Sequence, residues 1–194
     1  MSVTGDYFDE TMVNRQRLLW TIATRRQLER WEPYVAAAVR DDGLSESRDI
    51  WSAEIEHHFT LVAARHLIQA LELSPTSVSI DSTVRDELIE GRDLHEHWLD
   101  NLPVFNVTPR PAQPPRQSGK NFAARNPKSG PYDWLRWSNK TGAQLLPHVS
   151  APALHELLDA VEAEVLANDD SLKRFVPPRA PSPWLHQDGE WWPK

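Results

Sequence analysis

The stretch from Asp81 to Leu102 sorts its residues by polarity at the period of an α-helix, and this constrains the fold more than any other feature of the chain. With successive residues about 100° apart, Val84, Leu88, Gly91, Leu94, His95, Trp98, Leu99 and Leu102 gather on one half of the wheel. The other half holds Arg85, Asp86, Glu90, Arg92, Asp93, Glu96, His97 and Asp100, with Ile89 the one apolar intruder. A segment divided in this way must bury one side against other helices. Asp81 suits an N-cap and Pro103 ends the helix.

Three further segments have the same period. Thr11 to about Val39 lacks glycine and is rich in Arg, Leu, Glu and Ala, so it reads as a long helix that Pro33 kinks or splits after Trp31. Glu46 to Leu73 carries two apolar rows, Ile55, Phe59 and Val62 beside Leu61, Ala64, Ile68 and Leu71; two rows predict a broad buried face, with Ser74-Pro75-Thr76 as the stop. Ser150, followed by Pro152, opens a last helix whose Leu154, Leu157, Leu158, Val161 and Val165 hold helical spacing to about Asn168.

The remaining segments are poor in helical signal. Pro103 to Pro131, rich in Pro, Arg, Asn, Gln and Gly, reads as a long, mostly irregular connection, and Tyr132 to Trp137 as a short extended piece. Beyond residue 170, proline argues against regular structure while Trp184, Trp191 and Trp192 argue against disorder, which predicts an extended strap on a surface groove. The expected architecture is therefore all-α: a bundle of four or five helices over residues 1–170, with a long basic loop before the last helix, and an extended Pro/Trp-rich tail over 171–194.

Composition narrows the chemistry. The chain has no cysteine, which excludes disulfides and thiolate metal sites, and its N-terminus lacks the basic and apolar regions of a signal peptide. No apolar run approaches the roughly 20 residues of a membrane span, so the expectation is a cytoplasmic protein with no membrane partner. The net charge of −7 argues against sequence-blind adhesion to nucleic acid. Its distribution is uneven: from Pro103 to Ser150 seven bases face one acid, Asp133. A local basic patch on an acidic body suits a specific anionic substrate.

Within the third helix, Arg92 and His97 frame the pattern RxxxxH. A guanidinium can grip a phosphate through two parallel hydrogen bonds, and an imidazole can move a proton near neutral pH. Asp93 lies one helical turn before His97, where it can orient the ring or raise its pKa. His97 follows Arg92 by five positions, so on an ideal helix they stand roughly 140° apart, and one chain presents them around an edge. A looser RxxxxxxH, Arg179 to His186, falls in the proline-rich tail where no helix can present it.

A helical bundle with RxxxxH late in its third long helix and a polar residue directly after the arginine resembles the HEPN superfamily, many members of which are metal-independent endoribonucleases. Arg92, Asp93 and His97 carry the resemblance as motif residues, and Thr11 to Asn168 carry it as architecture. It implies a homodimer in which two copies of the motif line one cleft, and RNA cleavage through attack of the 2′-hydroxyl on the adjacent phosphate, with no cofactor. An enzyme of toxin or defence type, held by an antitoxin or regulatory protein, follows from the same resemblance. The competing expectation is a HEPN-like bundle that has lost catalysis and serves as a binding or regulatory module.

The plainer account of the motif is a pair of surface contacts, Arg92 with Glu96 and Asp93 with His97, each worth a few tenths of a kcal/mol. Gly91 weighs against it: glycine costs about 1 kcal/mol relative to alanine inside a helix, which predicts close approach by another backbone. Arg125, Lys128, Arg136 and Lys140 are the candidate substrate-binding cations, the last two interleaved with Trp134 and Trp137 as in a single-strand RNA platform. His95 and His66 read as core histidines, and Glu54 with His57 as half of a di-metal ExxH motif without a second half, so no metal is expected.

Overall fold

The computed structural model describes residues 9–40, 48–96, 117–126 and 136–194. Five α-helices occur among them: α1 (Glu10–Arg40), α2 (Arg48–Leu71), α3 (Ser82–Glu96), α4 (Gln117–Arg125) and α5 (Ala151–Asn168). Strands β1 (Arg136–Ser138), β2 (Gly142–Leu146) and β3 (Val149–Ser150) form one antiparallel sheet, and β4 (Trp184–Gln187) pairs with β5 (Glu190–Pro193) in a hairpin. The protein is mostly helical, and the all-α expectation is corrected by these two small sheets.

The helix ends follow local chemistry. Asp81 caps α3, its carboxylate accepting from the Thr83 and Val84 amides at 2.8 and 3.2 Å. Ser150 caps α5 through Ala153 N, with Pro152 in the first turn. Pro33 neither splits nor ends α1, which runs through it with the ring on the exposed side. Trp31 and Val35 on either side are fully buried, so core packing of α1 offsets the hydrogen bond that proline removes.

Helix α1 lies between α2 and α5, α3 packs on the far side of α2, and α4 on α3. The shared core is built from Leu28 and Trp31 of α1, Leu61, Leu67 and Ile68 of α2, Leu88 and Leu94 of α3, and Leu154 and Leu158 of α5. Strand β2 completes it with Leu145 and Leu146, both buried, because a register shift between Gln144 and Leu146 breaks strict alternation. Leu145 also offers its carbonyl to His57 Nε2 at 2.7 Å, tying the sheet to α2.

Two arginines of α1 are buried and saturated. Arg17 donates to the carbonyls of Ala70 (3.5 Å), Leu71 (3.4 Å), Ser74 and Pro75 (3.3 Å), closing the C-terminal end of α2, and to Glu164 of α5 at 3.3 Å. These carbonyls end a helix and have no partner within it, so a guanidinium there supplies both hydrogen bonds and charge of the favourable sign. Arg25 bridges Asp159 (2.8 Å) and Glu162 (3.0 Å) of α5.

Beyond the bundle, the mostly irregular connection between α3 and the sheet carries one helix, α4, which buries Phe122, and the reading of the tail needs correction. The tail begins within a 3₁₀ helix, Asp170–Phe175, and runs without regular structure to Pro183; Asp188 and Gly189, with φ of 53° and 78°, then make a two-residue turn that closes the β4–β5 hairpin. Its prolines do not interrupt the ladder, because Pro177 to Pro183 precede it and Pro193 ends it. The hairpin buries Trp184 in the main core, and Trp191 N donates to Asn139 O at 2.6 Å.

Candidate functional site

Helix α3 is held along three sides, and its motif residues occupy one of them. On the first, Gly91 faces β2: a Cβ built there would lie 2.9 Å from Leu146 Cδ1. The close approach expected at this glycine is therefore a leucine side chain of the same chain, not a second backbone. On the second, Glu87 is fully buried and accepts from His148 N (2.9 Å), His148 Nδ1 (2.7 Å) and Asn126 Nδ2 (3.0 Å). Nearby, Arg125 of α4 pairs with Glu90 and lies 3.8 Å from Asp86. Burial pushes the Glu90 carboxyl above its ordinary range, and the attraction of Arg125 only partly offsets this.

The third side carries Arg92 and Asp93 and faces α2. The Asp93 carboxylate accepts through one oxygen, Oδ1, from Arg92 Nη1 at 3.2 Å and from Arg65 Nη1 of α2. All three side chains are part-buried, with exposures of 24% for Arg65, 26% for Asp93 and 30% for Arg92. Two cations thus share one anion at the edge of the α2–α3 contact. Arg65 had no place in the sequence reading; its position one turn from the Ile55, Phe59, Val62 row was the available signal. Asp93 was expected to face His97, and its described partners are the two guanidiniums.

His97 and Lys128 lie outside the described residues, as do the side chains of His95 and Arg136. Of the other candidate substrate-binding residues, Arg125 spends its charge on α3 and Lys140 stands exposed at the β1–β2 turn. His66 is not a core histidine: it is half-buried and stacks on Trp20 with ring centres 4.2 Å apart. Glu54 is exposed while His57 is buried against Leu145 O, so the ExxH pair does not converge.

A second departure concerns α2. The row Leu61, Ala64, Ile68 and Leu71 is buried as expected, but Ile55 and Phe59 are 58% and 49% exposed, and Trp51 on the same face is 69% exposed. Helix α2 therefore presents an apolar stripe to solvent, and helical spacing places Arg65 on the same side further along. A cavity of about 780 Å³ lies elsewhere, between residues 77–84 and α5, lined by Val78, Ile80, Leu157 and Ala160; none of Arg65, Arg92 or Asp93 borders it.

No helix among the described residues is long and apolar enough to cross a membrane. Comparisons with protein families, with curated proteins and with solved structures give no match to the chain.

Proposed function

We propose that the protein is a HEPN-like endoribonuclease that cleaves RNA without a metal, acts as a homodimer, and uses Arg92 and His97 as its working pair. The observation that carries this reading is the position of Arg92: it stands part-buried at the α2–α3 edge, with Arg65 on the same carboxylate, instead of lying loose on a solvated helix face. Half-buried guanidiniums keep more of their attraction for a phosphate than solvated ones, because less water screens them.

The reaction balances with RNA alone. His97 takes the 2′-hydroxyl proton, the 2′-oxygen bonds to phosphorus, and the 5′-oxygen leaves with a proton from a general acid, giving a 2′,3′-cyclic phosphate and a 5′-hydroxyl end. Arg92 neutralises the charge that builds on the phosphoryl oxygens. One chain carries its motif around a helix edge, so a second copy must supply the other half of a crevice. The stripe Trp51, Ile55 and Phe59 favours such a pairing, as an exposed apolar row beside a charged cluster is the usual make-up of a protein contact. A toxin or defence role, and a protein that restrains it, belong to the same proposal.

A non-catalytic binding module is the second reading, and one observation favours it: Asp93 already neutralises part of the Arg92 charge. Cleavage assays on purified protein in EDTA separate the two. Activity that survives chelation, falls about 100-fold or more in His97→Ala and leaves cyclic phosphate ends supports the nuclease. A folded dimer that cuts no RNA in EDTA or in magnesium supports the binding module. Phe59→Glu tests the dimer by sedimentation: it should yield monomer, and an unchanged mass would remove α2 from the interface.

A further inference from the structure

We infer that the groove between α1 and the 3₁₀ helix Asp170–Phe175 is a docking site for an acidic amphipathic segment of a partner protein, one that carries apolar side chains between two carboxylates. The groove encloses about 540 Å³. Leu18 and Leu172 form its buried floor, while Leu19 and Phe175 at its edges are 52% and 55% exposed. Helical spacing sets Arg15, Leu19, Ile22 and Arg26 in one row along α1, with an apolar centre and a cation at each end. Scattered exposed leucines are ordinary, but a leucine and a phenylalanine that flank one apolar hollow make a patch whose burial is favourable.

The charge decides what the occupant carries. Among the described residues neither Arg15 nor Arg26 has a hydrogen bond or an ion pair, and no carboxylate lines the groove. Arg174, beside them, lies over the Phe175 ring with its guanidinium carbon 4.8 Å from the ring centre. On the buried side of the same helix, Arg17 and Arg25 do meet carboxylates, those of Glu164, Asp159 and Glu162. In a chain of net charge −7, arginines that lack an acid partner and bracket an apolar hollow are complementary to an acidic surface. Guanidinium is also weakly hydrated for a cation, so it loses little when a partner covers it.

The spacing favours a protein segment over a small amphiphile. Arg26 follows Arg15 by eleven positions, which is about 16 Å along the helix. A fatty acid anion has one charged head and reaches one of the two. A helix with acids about three turns apart reaches both, and lays the apolar residues between them into the hollow.

Selection from a phage-displayed library of random peptides of about 16 residues, roughly four helical turns, tests the inference on the whole chain. Peptides enriched on the wild type should carry acids on both sides of an apolar run, and the Arg15→Glu/Arg26→Glu variant should enrich basic peptides instead. In fluorescence anisotropy with one enriched acidic peptide, Leu19→Ala and Phe175→Ala should each weaken binding about tenfold. Arg15→Gln with Arg26→Gln should weaken it by a similar factor and remove most of its salt dependence. All four positions are exposed, and thermal melting of each variant verifies the fold.

Four outcomes overturn the inference. The first is no enrichment over a selection without protein, and the second is enriched peptides that lack acids or bind the Leu19→Ala and Phe175→Ala variants as well as the wild type. The third is sedimentation with phosphatidylglycerol vesicles that Leu19→Ala abolishes, which would assign the face to lipid. The fourth is a lower mass for Leu19→Glu than for the wild type in analytical centrifugation, which would assign it to a second copy of the chain. None of these bears on RNA cleavage, because no residue of α3 borders the groove.

Discussion

Arg17 and Arg65 sit on neighbouring helices and are both at least part-buried, yet their surroundings differ in kind. Arg17 meets four carbonyls and a carboxylate, so its donors are matched by acceptors and its charge by Glu164 and the end of α2. Arg65 shares a single carboxylate oxygen with another arginine. A buried cation matched by several acceptors is a structural joint, whereas a part-exposed cation whose described carboxylate partner is shared is held less completely.

Substituting both arginines with methionine, which keeps a flexible apolar stem, should break the pair apart most clearly. Arg17→Met removes the cation beside Glu164, which keeps its hydrogen bonds from Thr76 and Ser77, and strands the carbonyls of Ala70, Leu71, Ser74 and Pro75; we expect a loss of about 3–5 kcal/mol in urea denaturation. Arg65→Met leaves Asp93 with Arg92 and with access to water, so we expect a loss of no more than about 1 kcal/mol. Comparable losses in the two variants would show that Arg65 is a joint as well, and the difference drawn from acceptor counts would not hold.

The same contrast separates what was legible in the sequence from what was not. The helices could be read because each pairs a strong apolar period with a local stop or cap: Asp81 and Ser150 act through bonds to amides two or three residues away. The arginine joints could not be read, since Arg17 finds its acceptors more than 50 residues distant. Periodicity also misjudged α2, because it cannot say which of two apolar rows a neighbouring helix will cover; α1 and α3 cover the Leu61 row and leave Ile55 and Phe59 exposed. The hairpin was local and legible: Asp188-Gly189 is a favoured two-residue turn, and the surrounding prolines drew attention away from it. Of the candidate site, Arg92 and Asp93 were found by motif, and Arg65 required the fold.

A middle case sharpens the comparison. Glu90 is buried beside Arg125, and burial raises its pKa despite that partner. The folded state therefore holds the Glu90 proton more tightly than the unfolded chain does. Protonation of Glu90 thus adds stability as pH falls from neutral toward the ordinary carboxylate value, and this contribution is lost as pH rises through the raised pKa. Glu90→Gln should remove this dependence and change stability at pH 7 by less than about 1.5 kcal/mol. Denaturation of wild type and variant at a series of pH values from neutral down to the ordinary glutamate value reads it. Parallel curves would mean that Arg125 compensates Glu90 fully, which would make it a joint of the Arg17 kind.

The smallest effect is expected where an exposed arginine meets an already engaged carboxylate. Arg179 of the tail reaches Asp159 at 2.9 Å and Glu162 at 3.4 Å, the two acids that also hold Arg25. Burial alone would raise the Asp159 pKa, but hydrogen bonds from Arg25 and Arg179 outweigh it and bring the group below its ordinary range. A lowered carboxylate contributes stability above its unfolded pKa and loses it as pH falls through the folded value, so the contribution fades on the acid side of about pH 4. Arg179 and Asp159 are both about half exposed, and water screens their attraction; Arg179→Ala should cost under about 1 kcal/mol at neutral pH. The same substitution should make the acid limb of the stability curve shallower, because Asp159 then titrates closer to its unfolded value. An acid limb that keeps its slope would place the whole depression on Arg25, so that the buried arginine alone sets the charge state of this cluster and the tail merely rests on it.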